Sequence, residues 1–473
     1  MKILLTGATG YIARRLLPVL LEAGHEVVCC VRDKHRFYRE SPDAERLSII
    51  EVDFLQKETL SNIPADIDAA YYLIHSMSAT VGDFTTMEAD AASNFVAAIS
   101  QTQAKQVVYL GGIVNEQHLS KHLRSRYNVE RILAAGKVPL TTLRAGIIVG
   151  SGSASFEIIR DLVEKLPVMI APRWLNTPCQ PIAIRNVIEF LSGVLLKPPT
   201  YGKSCDIGGP DILTYKQMLL QFGEVRGLKR RILVVPVMTP RLSSYWLYFV
   251  TATSYTLARN LVDSMKVKVV VRPNDLGKHL GIQLISYKKA IAMAFDKIEQ
   301  NEVVSSWKDA LSSHILNRGL DKYIEVPVNG CYKDVRTLKI QNSEAVLNKI
   351  WAIGGNNGWY YGNWLWGLRG LMDKMVGGVG LRRGRRSPTK INAGDALDFW
   401  RVLLASRSQK RLLLYAEMKL PGEAWLEFKI QGDILEQTAT FRPLGLWGRL
   451  YWYAVLPFHG FIFKGMIRQI AAI

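Results

Sequence analysis

Through the first 230 residues, short apolar runs alternate with longer stretches of helical periodicity. That is the rhythm of parallel strands joined by crossover helices. The pattern predicts strands at Ile3–Thr6, Val27–Arg32, Leu47–Asp53, Ala69–Ile74, Val107–Leu110, Thr141–Arg144 and Ser204–Ile207. Between them it predicts helices near Tyr11–Ala23, Met87–Ser100, Ser120–Ala135, Phe156–Leu166, Ile184–Leu196 and Tyr215–Val225. The strand runs are continuously apolar, as in strands covered on both faces. The expected fold class is therefore α/β, with a doubly wound parallel sheet over residues 1–230. Residues 231–320 read as helices and connectors that complete this domain and link it onward. From residue 321 Gly-rich stretches alternate with strand-like runs at Arg411–Met418, Ala424–Ile430 and Ile434–Phe441, and a helix over Leu450–Ile470 follows. Residues 321–473 are expected to form a second, α+β domain: an antiparallel sheet folded against a terminal helix.

Composition supports two cores, with 473 residues of which 48% are hydrophobic and 21% charged. Charge adds more. The 60 Lys+Arg against 41 Asp+Glu leave a net charge of +19, which favours dinucleotide phosphates or an acidic membrane surface. Zinc-ligand spacings, aromatic–glycine RNA signatures and basic recognition helices are lacking, so neither nucleic acid nor a metal is expected. Five scattered cysteines fit a reducing compartment. Met1 leads straight into a strand, so the expected location is cytoplasmic, either free or peripheral to the inner face of the membrane. The weakly charged stretch Leu242–Asn260 carries several Ser and Thr and Arg259, which suits a buried or surface-lying helix better than a span.

The first strand is followed by Gly7-Ala8-Thr9-Gly10-Tyr11-Ile12-Ala13. Gly7 permits a tight turn, Gly10 lets backbone approach a pyrophosphate, and the small Ala13 lets the helix pack on the sheet. The helix start, around Thr9, Tyr11 and Ile12, offers N–H groups and a positive dipole end to phosphates. A dinucleotide site is expected here; a glycine turn without ligand is the plainer alternative. At the end of the second strand, where an acidic residue would read the NAD ribose, stands Arg32. Asp33 follows it, with Arg14, Lys34 and Arg36 near. A guanidinium pairs a phosphate bidentately, so NADP is the expected cofactor, with NAD kept open by Asp33. Asp53, after the third strand, is expected by the adenine, and Phe54 beside it and Gly111, after the fifth strand, are expected at the cofactor. Asp53 as a mere loop-starting residue is the alternative.

Gly7–Ala13, Asp53, Leu110-Gly111-Gly112, Leu143-Arg144-Ala145-Gly146 and Ile207-Gly208-Gly209-Pro210 together resemble the atypical short-chain dehydrogenase/reductase superfamily, in particular its complex I 39-kDa-like and NmrA-like members. Tyr72–Met77, Gln180–Arg185 and Ala416–Leu426 look like a bacterial group in which this Rossmann domain is fused to a domain of unknown function. The resemblance implies a Ser after strand five and a Tyr-x-x-x-Lys on the next helix. Here Gly111 and Gly112 stand where the Ser belongs. In the register anchored by Glu130 and Leu133, His122 takes the Tyr place and Arg126 the Lys place, four residues apart on one helix face. Arg126 is always charged and suits ribose hydroxyls, whereas a histidine exchanges protons near neutrality. Tyr127-x-x-x-Arg131 is a rival pattern in a shifted register. His75, after strand four, is a second catalytic candidate, and Arg144 and Arg185 are candidates to flank the substrate or to form structural ion pairs. Each histidine has the alternative of an ordinary surface or loop residue.

Residues 321–473 look like a helix-grip, START-like fold, which implies an apolar cavity beneath the terminal helix. Tyr451, Leu456, Phe461 and Met466 are expected to face that cavity. The cluster Trp359, Tyr360, Tyr361, Trp364 and Trp366 is hard to bury whole, and the basic run Arg382–Arg386 suits an acidic head group or anionic lipid. The sequence thus suggests an NADP(H)-binding, oxidoreductase-like protein acting on or sensing an apolar small molecule. A non-catalytic nucleotide-binding scaffold, sensor or assembly factor, and a membrane-surface lipid or quinone carrier, are the alternatives. It does not reveal an oligomeric state.

Overall fold

The apolar runs of the N-terminal half pair into one seven-stranded parallel sheet. Its strands are β1 (Lys2–Leu5), β2 (Glu26–Val31), β3 (Leu47–Glu51), β4 (Ala69–Tyr72), β5 (Gln106–Gly112), β6 (Leu140–Ala145) and a last strand at Ser204–Ile207. In space the order is last strand, β6, β5, β4, β1, β2, β3. The structure is a computed structural model that describes residues 1–32, 44–74, 84–114, 121–235, 262, 265–299, 331–380, 391–443 and 445–472. The chain divides into two compact units, one containing the described residues up to Glu299 and the other those from Cys331.

Helices cover both sheet faces, which is why the strand runs are apolar throughout. On one face α1 (Ala13–Glu22) and α5 (Ile184–Gly193) bury Leu16, Leu20, Val187 and Leu191 against Ile3, Leu5 and Tyr71. On the other, α2 (Phe84–Ile99) and α3 (Lys121–Ala134) bury Phe95 and Leu133 against Leu4, Tyr72 and Tyr109. β3 departs from the expectation, with Ser48 and Glu51 exposed, because it is the edge strand. A further core gathers α4 (Ala154–Lys165), α6 (Tyr215–Val225) and a helix at Tyr287–Glu299. The reading of residues 231–320 as helices and connectors needs correction here. Arg231–Val235 is a strand, paired in parallel with Val168–Pro172. Both are apolar runs, but they are short and half exposed. The stretch Leu242–Asn260 lies outside the described residues.

The second unit is a six-stranded antiparallel sheet with a long helix, Gly445–Ala471, and shorter helices at Ser343–Trp351 and Asn363–Met375. Its order is Tyr332–Lys339, Ile434–Pro443, Gly422–Gln431, Arg411–Ala416, Trp400–Ser406, Ala396–Leu397. Met466, Ile467 and Ile470 join Val402, Leu412 and Phe428 in its core. Leu456 and Phe461, expected to face the sheet, are 42% and 55% exposed instead. The helix turns its 463, 466, 467 and 470 positions to the sheet, which carries Phe461 to the other side, whereas Leu456 lies two turns before Phe463 on the inward side, next to Pro457, and is exposed there. Trp359 and Trp366 are buried, whereas Trp364 is exposed. The run Arg382–Arg386 lies outside the described residues.

Candidate functional site

From β1 the chain winds to β2 and β3 on one side, and from β4 to β5 and β6 on the other, so the order reverses between β1 and β4. Doubly wound sheets bind ligands in the crevice at the carboxyl ends of the strands at such a reversal. The Gly-rich turn lies there. Gly7 has φ +62°, and a Cβ on it would fall 2.6 Å from the Leu73 carbonyl oxygen, just past β4. Gly10 donates its N–H to the Gly7 carbonyl at 2.7 Å. α1 then starts at Ile12 with no side-chain cap, leaving the helix start to a ligand or water. Thr6, fully buried, ties β1 to β4: its hydroxyl donates to Tyr71 O at 3.0 Å and accepts from Leu73 N–H at 3.1 Å.

Sequence reading missed Arg15. Its guanidinium lies over the Tyr11 ring at 3.8 Å and donates to Tyr11 O at 3.1 Å and Ser151 O at 2.8 Å. It therefore locks the turn to the loop before α4; the i, i+4 spacing of Tyr11 and Arg15 was the only hint. Burial pushes the Tyr11 phenol up to about 12, against the pull of Arg15. Arg14 is half-buried on the first turn of α1, and Arg32 is exposed directly after β2. Asp33, Lys34 and Arg36 lie outside the described residues. The Asp53 carboxylate accepts the Leu55 N–H at 3.0 Å, the behaviour of a loop-starting residue. Phe54 is buried with its ring 5.7 Å from that of Phe95, so only its backbone is available to an adenine.

Across the crevice α3 presses on the end of β5. A Cβ on Gly112 would come within 2.9 Å of Leu123 Cδ2, and one on Gly111 within 3.1 Å of Tyr109 Cε1. A side chain at either position would need these neighbours to shift. Arg126 Nη2 donates to Leu110 O at 2.8 Å, while its Nε is buried with no partner among the described residues. His122 sits one turn earlier on α3, its side chain outside what is described, and His75 lies outside the described residues altogether. Tyr127 of the rival pattern is 39% exposed.

Arg144, a candidate for the substrate crevice or an ion pair, pairs bidentately with Glu130, at 3.0 and 2.6 Å, and Arg272, which sequence reading did not single out, pairs likewise with the buried Asp206, at 2.7 and 2.8 Å. Arg185 is exposed beside Glu189. Between α4 and α6 lies an apolar cavity of about 40 Å³ lined by Ile158, Met169, Trp174 and Tyr215, far below the several hundred that a substrate pocket needs.

A parallel sheet with this order, a glycine turn at its reversal and an uncapped helix behind it define a Rossmann dinucleotide-binding domain. Residues 7–160 match the family described as NAD(P)H-binding, so the first unit carries an NAD(P)H-binding domain. Residues 329–466 match the family described as Protein of unknown function (DUF2867). A divinyl chlorophyllide a 8-vinyl-reductase of Arabidopsis thaliana is 23% identical over 225 residues, 44% of this chain and 53% of that protein. The chain thus spans about half the length of the curated relative it matches. Among solved structures, Citrobacter sp. triphenylmethane reductase complexed with NADP(H) aligns with a TM-score of 0.51 at 17% identity, over 62% of this chain and 100% of that one. An NADPH-dependent quinone oxidoreductase of Escherichia coli, complexed with NADPH, gives 0.51 at 16%, over 62% and 99%. No helix among the described residues is long and apolar enough to cross a membrane.

Proposed function

We propose that this protein binds NADP(H) and reduces an apolar, conjugated small molecule in the crevice between the Gly7 turn and Arg126. The buried Nε of Arg126, which has no partner among the described residues, carries the reading. Such a donor costs about 1–3 kcal/mol unless a ligand satisfies it, and a nicotinamide ribose hydroxyl is the chemistry that suits it. The Gly7 turn and the uncapped start of α1 receive the pyrophosphate, while Arg32 and Arg14 take a 2′-phosphate. The bound nucleotide supplies a hydride. His122, one turn from Arg126, supplies the proton, with His75 as the alternate donor. The named relatives reduce a chlorophyllide, a triphenylmethane dye and a quinone, and their common chemistry supports a conjugated acceptor.

Calorimetric titration tests the cofactor. One charge-assisted bidentate pair at about 1.5–3 kcal/mol implies a preference for NADPH over NADH of about tenfold to a hundredfold. That preference disappears in Arg32→Ser. Equal affinities in the wild type would assign the ribose to Asp33. For the chemistry, NADPH oxidation is followed with quinones and triarylmethane dyes, and His122→Phe abolishes it while affinity stays within a few-fold. A second reading, a nucleotide-binding sensor or scaffold, is favoured by Gly111 and Gly112, which offer no hydroxyl where the serine is expected. Tight NADPH binding without consumption by any of these acceptors would establish that reading instead.

A further inference from the structure

The second unit leaves large apolar side chains bare on two of its helices. On Asn363–Met375 these include Trp364, Leu368 and Met375, at 70%, 48% and 63% exposure. On Gly445–Ala471 they include Trp447, Phe458 and Phe461, at 78%, 56% and 55%. Within each helix the spacing puts the three on one side. The two helices also lie together: the rings of Tyr361 and Phe461 are 5.2 Å apart, and the Arg369 guanidinium lies 5.2 Å from the Tyr451 ring. Those pairs make the helices antiparallel neighbours. Scattered exposed apolar residues are ordinary, but two adjoining helical stripes form a contiguous patch of the kind that marks an interaction face.

Charge decides what covers it. From residue 345 to 380 the only acid is Asp373, which is buried and accepts the backbone N–H groups of Gly380 and Lys419 at 2.8 and 2.7 Å. From residue 445 onward there is no acid at all, while Arg449, Lys464 and Arg468 are exposed. Lys464 and Arg468 continue the outward side of the terminal helix that carries Phe461 and Leu450. A protein partner of average surface would leave these cations without matching acids. An anionic bilayer offers both hydrocarbon for the aromatic rings and phosphates for the bases, and aromatic side chains settle at its interface. We infer that the outward faces of helices Asn363–Met375 and Gly445–Ala471 dock this protein on an anionic lipid surface, lying on the membrane rather than crossing it. The inference stands apart from the proposed redox role.

Flotation of the full chain tests this with vesicles of phosphatidylcholine alone and of phosphatidylcholine mixed with phosphatidylglycerol. The wild type floats with the mixed vesicles at physiological salt and is released near 1 M, where the screening length falls from about 8 Å to about 3 Å. Each base near the surface is worth about fivefold in partitioning, so Lys464→Ser/Arg468→Ser lowers binding about twenty-five-fold. Trp447→Ser/Phe458→Ser/Phe461→Ser abolishes it, and tryptophan quenching by brominated lipid is lost with it. Both variants retain wild-type circular dichroism and NADPH affinity. Flotation with neither vesicle, or equal flotation with both, overturns the inference. So does a variant that floats like the wild type. A dimer in the ultracentrifuge that dissociates in the aromatic variant, without vesicle binding, assigns the face to a second copy instead.

Discussion

Gly7→Ala combines two costs that other glycines separate. Gly227 has φ +65° and nothing within 4 Å of where a Cβ would go, so alanine there meets only left-handed backbone strain, about 1–2 kcal/mol. At Gly10, where φ is not positive, a Cβ would meet the Gly7 carbonyl oxygen at 2.9 Å. A backbone atom yields only if the turn moves, and such overpacking costs roughly 1–3 kcal/mol. At Gly7 both apply, with φ +62° and the Leu73 carbonyl at 2.6 Å, which sums to about 2–5 kcal/mol. The assay is thermal unfolding with and without NADPH, since the transition that the nucleotide raises belongs to the unit that binds it. At roughly 2–4 °C per kcal/mol, Gly227→Ala lowers that transition by a few degrees and Gly7→Ala about twice as far. Relief of the contact displaces the turn, so NADPH affinity falls at least tenfold in Gly7→Ala and stays unchanged in Gly227→Ala. Equal melting of the two variants would refute the close approach of the turn to β4. Unaltered NADPH affinity in Gly7→Ala would refute the turn as the cofactor's seat.

Arg126→Met removes the buried Nε donor and lowers NADPH affinity about tenfold to a hundredfold in a fluorescence titration; unchanged affinity clears Arg126 of the nucleotide site. Arg401 and Glu417 form a fully buried, doubly hydrogen-bonded pair with both bonds at 3.1 Å. Arg401→Met therefore costs about 3–5 kcal/mol in urea unfolding, and the additional Glu417→Leu recovers much of it; a double variant no better than the single one contradicts that account. Burial drives the His459 imidazole down to about 4, with Asp334 opposing and Arg369 and Arg336 assisting. The unfolded chain takes that proton near pH 6.5 and the folded one does not, so stability of the second unit falls between pH 6.5 and 4, by on the order of 3 kcal/mol. His459→Leu flattens that slope, and an identical slope in the variant would assign the acid sensitivity to other groups.

The sequence by itself determined the strands and helices of the doubly wound sheet to within a few residues, and the glycine turn. These are local properties: an apolar run, a helical period or a turn glycine is written in consecutive residues. What failed was whatever depends on the residue opposite. Glu417 had no readable role because its partner Arg401 stands on the neighbouring strand. Arg144 was open between a place at the substrate and an ion pair, and only the structure puts Glu130 beside it. The Phe54 ring packs against Phe95, a contact that no local pattern writes down. Period alone marks which residues share a side of the terminal helix, yet both of its sides are apolar, so it is silent on which one meets the sheet. Only the tertiary structure decided that Met466 and Ile470 turn inward and Trp447 and Phe461 outward, because burial belongs to a pair of surfaces and the sequence writes down one at a time.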